Sequence, residues 1–212
     1  MAITISGTTG VAGVDGSASA PSVAGTDSNS GVYFGADTIK FSTGGTERLS
    51  ITNAGVAGAG LFVSYAILED QKSAASDGGT ATSGDGWFTR DLNTEVTDPD
   101  SITSISSNKF TLQAGSYLIT WIVPAYRTGE NVTRLYDVTN SATKGISLTG
   151  YVNSSDSTQI HMYGSARVSP TGATEYRIEH NVNTTKSGNG RGVSANLGVN
   201  EVYTHVEIYK EV

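Results

Sequence analysis

Hydrophobic and polar positions alternate most clearly between Phe110 and Tyr126. Tyr117, Ile119, Trp121 and Val123 fall on one face of a strand, and Leu118, Thr120 and Ile122 on the other. One face is wholly apolar and the other mixed, as expected for an inner strand of a sandwich. Gly115 interrupts this run early, and Pro124 is expected to close it. Further strands are expected over residues 61–68, 87–92, 102–105, 132–138, 146–152, 158–168, 174–182 and 202–209, with a long polar loop over 69–86. Clusters of Asn, Ser, Gly and Pro separate them, and no helical period competes. The pattern predicts an all-β, antiparallel β-sandwich; jelly-roll and immunoglobulin-like strand orders both fit.

The first 60 residues differ. A short alternating strand at the N-terminus is followed by a Gly/Ser/Ala/Asp tract over 7–31, which holds little apolar surface to offset its ordering entropy. Strand-like pieces follow at 32–34, 39–42 and 47–51, and the small-residue run 54–60 is expected to be a linker. Hairpins this short are marginal alone, so this arm is expected to order against a partner or copies of itself. The expected organisation is an extended, β-rich N-terminal arm, residues 1–60, and a sandwich head, residues 61–212.

Composition narrows the function classes. Lys and Arg total 13 against 20 Asp and Glu, a formal charge of -7. That lacks the basic footprint of a nucleic-acid or anionic-membrane binder. With no Cys there are no disulfides, thiolate metal sites or Cys nucleophiles. No run of 18 apolar residues predicts a transmembrane helix, and residues 1–7 show no signal-peptide pattern.

Candidate chemistry is sparse. His161, His180 and His205 have no local metal partners, and strand alternation is expected to keep Glu179 and Glu207 from pairing with the neighbouring His180 and His205. Ser is abundant, but no Gly-x-Ser-x-Gly elbow occurs. The Gly-rich segments 55–60 and 188–192 lack the Gly-Lys-Ser/Thr ending of a phosphate loop. No enzymatic activity, metal site or cofactor is expected; Asp70, Asp77, Asp85, Asp98 and Asp100 are the one candidate set of oxygen ligands for calcium. The aromatics Trp87, Tyr126, Tyr151 and Tyr163 are candidates for stacking on a sugar face, on loops 69–86 and 186–192 or near them. Arg90–Asp91 and Arg134–Asp137 are candidate charge pairs at a subunit boundary.

Two stretches carry family resemblances. Gly115-Ser-Tyr117-Leu-Ile119-Thr-Trp121, preceded by Phe110, resembles the Gly-x-Tyr-x-Phe-x-aromatic strand of the C1q/tumour-necrosis-factor jelly rolls, with Ile119 where that family has Phe. Gly31-Val-Tyr-Phe-Gly35 and Phe41-Ser-Thr-Gly-Gly-Thr-Glu-Arg-Leu-Ser-Ile51 resemble an element of tailed-bacteriophage appendage proteins. Trp87 to Asn93, Leu112 to Tyr117, Arg134 to Thr139 and Glu201 to Glu207 are similar to a C-terminal domain of marine phage virion proteins. The resemblance implies a homotrimeric structural protein of the virion, made in the bacterial cytoplasm: a capsid decoration or cement protein, or a head-fibre knob. The alternative it implies is a tail-fibre knob that binds a host surface glycan. Leu118, Ile122 and Tyr203 are then the expected trimer contacts. Ile3, Ile5, Tyr33, Phe34 and Phe41 are the expected contacts of the arm with major capsid or tail proteins.

Overall fold

The protein was analysed as a computed structural model that describes residues 4–6, 10–53, 55–58, 62–84 and 86–211. The expected contact Ile3, the side chain of Ile5 and the acidic candidate Asp85 lie outside the described residues. The chain divides into two compact units between Val63 and Ser64.

The N-terminal unit consists of small antiparallel sheets. β1 (Thr4–Ser6) pairs with β2 (Gly10–Ala12), and β3 (Gly16–Ser17) with β4 (Ala20–Pro21). A five-stranded meander follows: β5 (Val23–Ala24), β6 (Gly31–Gly35), β7 (Thr38–Thr43), β8 (Thr46–Thr52) and β9 (Gly55–Gly58). The tract read as poor in structure therefore supplies strands, and the expected linker supplies β9. Even glycine and alanine can pair when the backbone ladder of β8 is on offer.

Unit two, residues 64–211, is an antiparallel sandwich. Its strands are β10 (Phe62–Lys72), β11 (Phe88–Thr89), β12 (Thr94–Thr97), β13 (Thr103–Ser106), β14 (Lys109–Leu112), β15 (Tyr117–Tyr126), β16 (Gly129–Asp137), β17 (Ala142–Ile146), β18 (Gly150–Val152), β19 (Gln159–Val168), β20 (Thr174–Val182) and β21 (Glu201–Glu211). The first sheet has the order β12-β10-β21-β15-β19. The second has the order β13-β14-β20-β16-β17, with β11 beside β20 and β18 beside β16. From β14 to β16, and again from β18 to β21, each successive strand changes sheet, which is a jelly-roll path.

The stretch 110–126 thus serves both sheets. β14 lies in the second sheet and β15 in the first, and Gly115 makes the crossing at φ 152°, a conformation other residues avoid. Tyr117, Ile119, Trp121, Val123 and Ala125 are all fully buried, so the apolar face read from the alternation is the core face. Pro124 does not end the strand; it pairs with His161 inside β15. Pairing with β21 has stopped at Ile122, and Tyr126 N–H on that side donates to Gly190 C=O. No ladder partner therefore waits for the missing N–H of Pro124.

Trp121 crosses the core. Its indole N–H donates to Thr133 Oγ1 of the second sheet at 2.8 Å. Gly164, its cross-strand partner on β19, makes room for the ring: a Cβ there would lie 2.1 Å from indole Cζ2.

Two strand expectations shift for one reason. The expected strand 87–92 shrinks to Phe88–Thr89 because Arg90 turns into the interior, and 146–152 splits because Ser147 satisfies the Thr133 N–H with its hydroxyl. Arg90 is buried, and among the described residues no carboxylate is in hydrogen-bond contact with it. Its Nη2 donates to the Arg191 and Tyr203 carbonyls and its Nε to Thr204, while Nη1 has no partner. Burial and then the neighbouring Arg191 bring its pKa down to about 9. His180, also fully buried, donates from Nε2 to Asn131 Oδ1 at 3.0 Å and leaves Nδ1 unpartnered. Burial, followed by Arg90 and Arg191, holds its pKa well below 6.5.

Two predictions follow from this interior. Gly164→Ala forces the Trp121 indole to move and is expected to cost about 1–3 kcal/mol in chemical denaturation; an unchanged midpoint would contradict the close packing. His180 is neutral when folded and takes a proton near pH 6.5 when unfolded, so the unfolded state binds more protons below that pH. Stability is expected to fall as pH drops from 7.5 to 5.5, with a slope approaching about 1.4 kcal/mol per pH unit. His180→Gln keeps the donor to Asn131 and is expected to flatten that slope; an identical slope in the variant would show that another group is responsible.

Candidate functional site

The two outer faces of the sandwich carry different chemistry. On the first sheet, successive rows run across β19, β15 and β21: Tyr163–Ile122–His205, Ser165–Thr120–Glu207 and Arg167–Leu118–Tyr209. Ile122 is 39% exposed and Tyr163 46%, and Leu118 is half-buried. Tyr163, expected beside Trp87 and Tyr151 in a binding set, instead joins the expected association residues Leu118 and Ile122. Tyr126 lies on this same sheet, half-buried, with the Arg127 guanidinium 5.3 Å from its ring centre.

Tyr203 does not belong to this open face. It is only 3% exposed, because loops 73–81 and 186–196 fold over it, and its hydroxyl donates to Ser76 C=O at 2.7 Å. Those loops bind each other through Gly78–Gly192, Gly79–Arg191 and Ala81–Lys186 backbone bonds. They form a cap over Tyr203.

Between the apolar side chains sits a polar group. His205 Nδ1 lies 2.8 Å from Glu69 Oε1 and its Nε2 3.5 Å from Glu207 Oε1. His205 and Glu207 are two positions apart and share a face, so alternation brings them together rather than keeping them apart. Burial would raise the Glu207 pKa, but hydrogen bonds from Thr120, His205 and Tyr209 outweigh it and hold the carboxyl below its usual range.

On the second sheet the outer face centres on Glu179. This buried carboxylate accepts from Arg134 Nε at 2.6 Å and from Arg177 Nε at 2.7 Å. The Arg134 guanidinium lies 4.2 Å from the Trp87 ring centre and 4.5 Å from that of Tyr136. Arg134 therefore pairs across strands with Glu179, not with Asp137 as expected; Asp137 meets Lys144 at 3.2 Å. Likewise Asp91 pairs with Lys72 and Arg191 instead of Arg90. Trp87 is held as part of this stack and is half-buried.

Tyr151 is different. It is 66% exposed and borders an open groove of about 550 Å3, with Glu130, Val132, Thr149, Asn181 and Asn183 around it. Glu130 is its cross-strand partner, and Val132 faces Asn181 one row along. Sequence reading missed Glu130 and Asn181, whose proximity to Tyr151 exists only through strand register.

The acidic candidates are used locally. Asp98 accepts the Ile102 and Thr103 N–H groups, Asp100 the Ser64 hydroxyl, Asp77 the Ser194 N–H, and Asp70 lies 3.3 Å from Lys72. Among the described residues no three His, Asp or Glu side chains are grouped to hold a metal ion.

On the N-terminal meander, Phe34, Ile39, Ile51 and Val56 are successive cross-strand partners, and Val32, Phe41 and Leu49 form the adjacent row. These seven side chains share one face. Phe34 and Phe41 are exposed on it, whereas Tyr33 lies on the opposite face, buried, donating to Glu47 Oε2 at 2.6 Å. Tyr33 is therefore a structural residue of the meander and not one of its exposed contacts.

No protein-family model and no curated protein sequence matches the chain. Among solved structures it is similar to the globular domain of zebrafish complement 1qA protein, with 14% identity over 70% of this chain and 96% of that one and a TM-score of 0.43. It is also similar to murine APRIL at pH 5.0, with 8% identity over 69% and 98% and a TM-score of 0.46. A third similar structure is Eiger TNF from S. frugiperda, with 9% identity over 70% and 92% and a TM-score of 0.44.

Proposed function

We propose that this chain is a structural protein of a tailed-bacteriophage particle, a homotrimeric capsid decoration or cement protein or head-fibre knob. The N-terminal unit docks on neighbouring virion proteins, and the sandwich associates with its own copies. The observation that carries the reading is the apolar face of the meander, where Phe34, Ile39, Phe41, Ile51 and Val56 are all exposed across four strands. A contiguous apolar face of this kind is uncommon on a free monomer and marks an interaction surface. Its covering by a partner would also stabilise strands that are short on their own.

Self-association draws on the outer face of the first sheet. Ile122, Tyr163 and Leu118 supply apolar area, and the Glu69–His205–Glu207 group already has its hydrogen-bond partners within the chain. A carboxylate satisfied in this way loses less when water is removed from around it. Three linked copies would turn modest individual contacts into firm attachment. The sequence resemblance to virion proteins supplies the context, and the particle surface is the corresponding location.

The two surfaces are separable by mutation. Ile122→Arg is expected to shift the mass in multi-angle light scattering from trimer to monomer with the melting temperature of the head nearly unchanged. Phe34→Ser with Phe41→Ser is expected to leave the trimer intact and to reduce sedimentation with purified phage particles about tenfold or more. A monomeric wild-type chain would overturn the trimer. Undiminished particle binding by the double variant would overturn the docking role of the meander.

A further inference from the structure

We infer that the groove beside Tyr151, on the outer face of the second sheet, is a binding site for a neutral linear oligosaccharide. The inference does not depend on the assembly proposal, because the site lies wholly on the sheet opposite the association face.

The floor of the groove is formed by three hydrogen-bonded strands, β18, β16 and β20. Glu130, directly opposite Tyr151, accepts from Asn183 Nδ2 at 2.6 Å, which fixes the carboxylate and leaves its second oxygen without a partner among the described residues. Asn183 is itself held, its Oδ1 accepting the Glu130 N–H at 2.9 Å. Asn181 and Thr149, by contrast, make no side-chain hydrogen bond among the described residues. An exposed aromatic ring therefore stands beside an oriented carboxylate, a free carboxamide and a free hydroxyl. Vicinal sugar hydroxyls take such planar donor–acceptor groups, while the C–H face of the sugar ring takes the tyrosine. The volume, about 550 Å3, falls in the range of roughly 300–1,000 Å3 typical of small-ligand sites.

Other ligand classes fit less well. A peptide adding as a strand could pair only at the outer edge of β18 and would leave Glu130 and Asn181 unused, because across the floor the ladder already pairs Glu130 with Tyr151 and Val132 with Asn181. A peptide recognised by side chains needs apolar pockets, and Val132 is the one aliphatic group outward on the floor. Phosphate or sulfate esters would meet Glu130, with no cation lining the groove, in a chain of net charge -7. Along the same face the next row beyond Val132–Asn181 is Arg134–Glu179, on which Trp87 stacks. With about 7 Å between rows, a linear chain starting on Tyr151 can extend toward Trp87 across its rings. This gives the sequence-level candidates Trp87 and Tyr151 one common surface, and separates them from Tyr126 and Tyr163.

The test uses the assembled full chain and three neutral probes, maltohexaose, cellohexaose and N-acetylchitohexaose, in saturation-transfer NMR with titration. At least one is expected to bind. Tyr151→Ala and Asn181→Ala are each expected to weaken it about tenfold, with Tyr151→Phe retaining it. Leu197→Ala, at an exposed position outside the groove and outside both proposed association surfaces, is expected to leave it unchanged, and all four melting temperatures should match the wild type. The inference is overturned if none of the three probes binds, if binding ignores both Tyr151→Ala and Asn181→Ala, or if only an anionic glycan such as polysialic acid binds. Any of these results leaves the trimer and docking measurements untouched, since those read different residues.

Discussion

The sandwich depends on the Trp121 indole. It rises from the middle of β15 in the first sheet and donates its N–H to Thr133 of β16 in the second. This one contact sets three things at once. It fixes the register between the sheets, because a buried indole N–H must find an acceptor and Thr133 is held in turn by the Ser147 hydroxyl on its own backbone N–H. It demands glycine at 164, where the neighbouring strand passes beneath the ring. It also phases β15, so that Leu118, Thr120 and Ile122 must point outward once Tyr117, Ile119 and Trp121 point in.

Once the phase of β15 is set, the outer faces follow by pairing. Ile122 brings Tyr163 and His205 alongside it, while on the other sheet β16 lines up Glu130 with Tyr151, Val132 with Asn181, and Arg134 with Glu179. The two faces therefore cannot exchange roles without a change of register. One is a mixed aliphatic and aromatic surface whose carboxylates are already satisfied. The other is a polar, aromatic surface with hydrogen-bonding groups to spare. The proposed association face and the proposed sugar site therefore lie on opposite sheets, so neither would occlude the other.

The parts legible in the sequence were those governed by a period of two. The core face of β15 and the full extent of β20 follow from alternation. What alternation does not contain is which strand lies next to which. Phe110–Tyr126 reads as one interrupted strand, yet Gly115 carries it from one sheet to the other. Arg134 has Asp137 three residues away in sequence, yet Glu179 lies opposite it through register. Tyr203 reads as an outward aromatic, as its parity indicates, and is buried by loops that pair with each other from positions about 110 residues apart, as the bond between Arg191 Nε and Thr80 C=O shows. Arg90 was least legible of all, because a charged residue in an alternating run reads as outward, and the carbonyls of Arg191 and Tyr203 with the Thr204 hydroxyl make its inward position tolerable.

The N-terminal unit obeys the opposite economy. Its meander has backbone ladders from β6 to β8, broken by one bulge at Phe41/Ser42, but few buried side chains; among its described residues only Tyr33, Ser42 and Ser50 fall in that class. Hydrogen bonding alone contributes little net stability, since the unfolded backbone bonds to water equally well. The Tyr33–Glu47 hydrogen bond orders one face, but the Lys40–Glu47 pair beside it is largely exposed and weak. The remaining source of stability is the apolar face itself, which contributes only when something covers it. In the docking proposed above, attachment and ordering of this unit would be one event: a partner that removes Phe34 and Phe41 from water would also supply the free energy that the meander lacks in isolation.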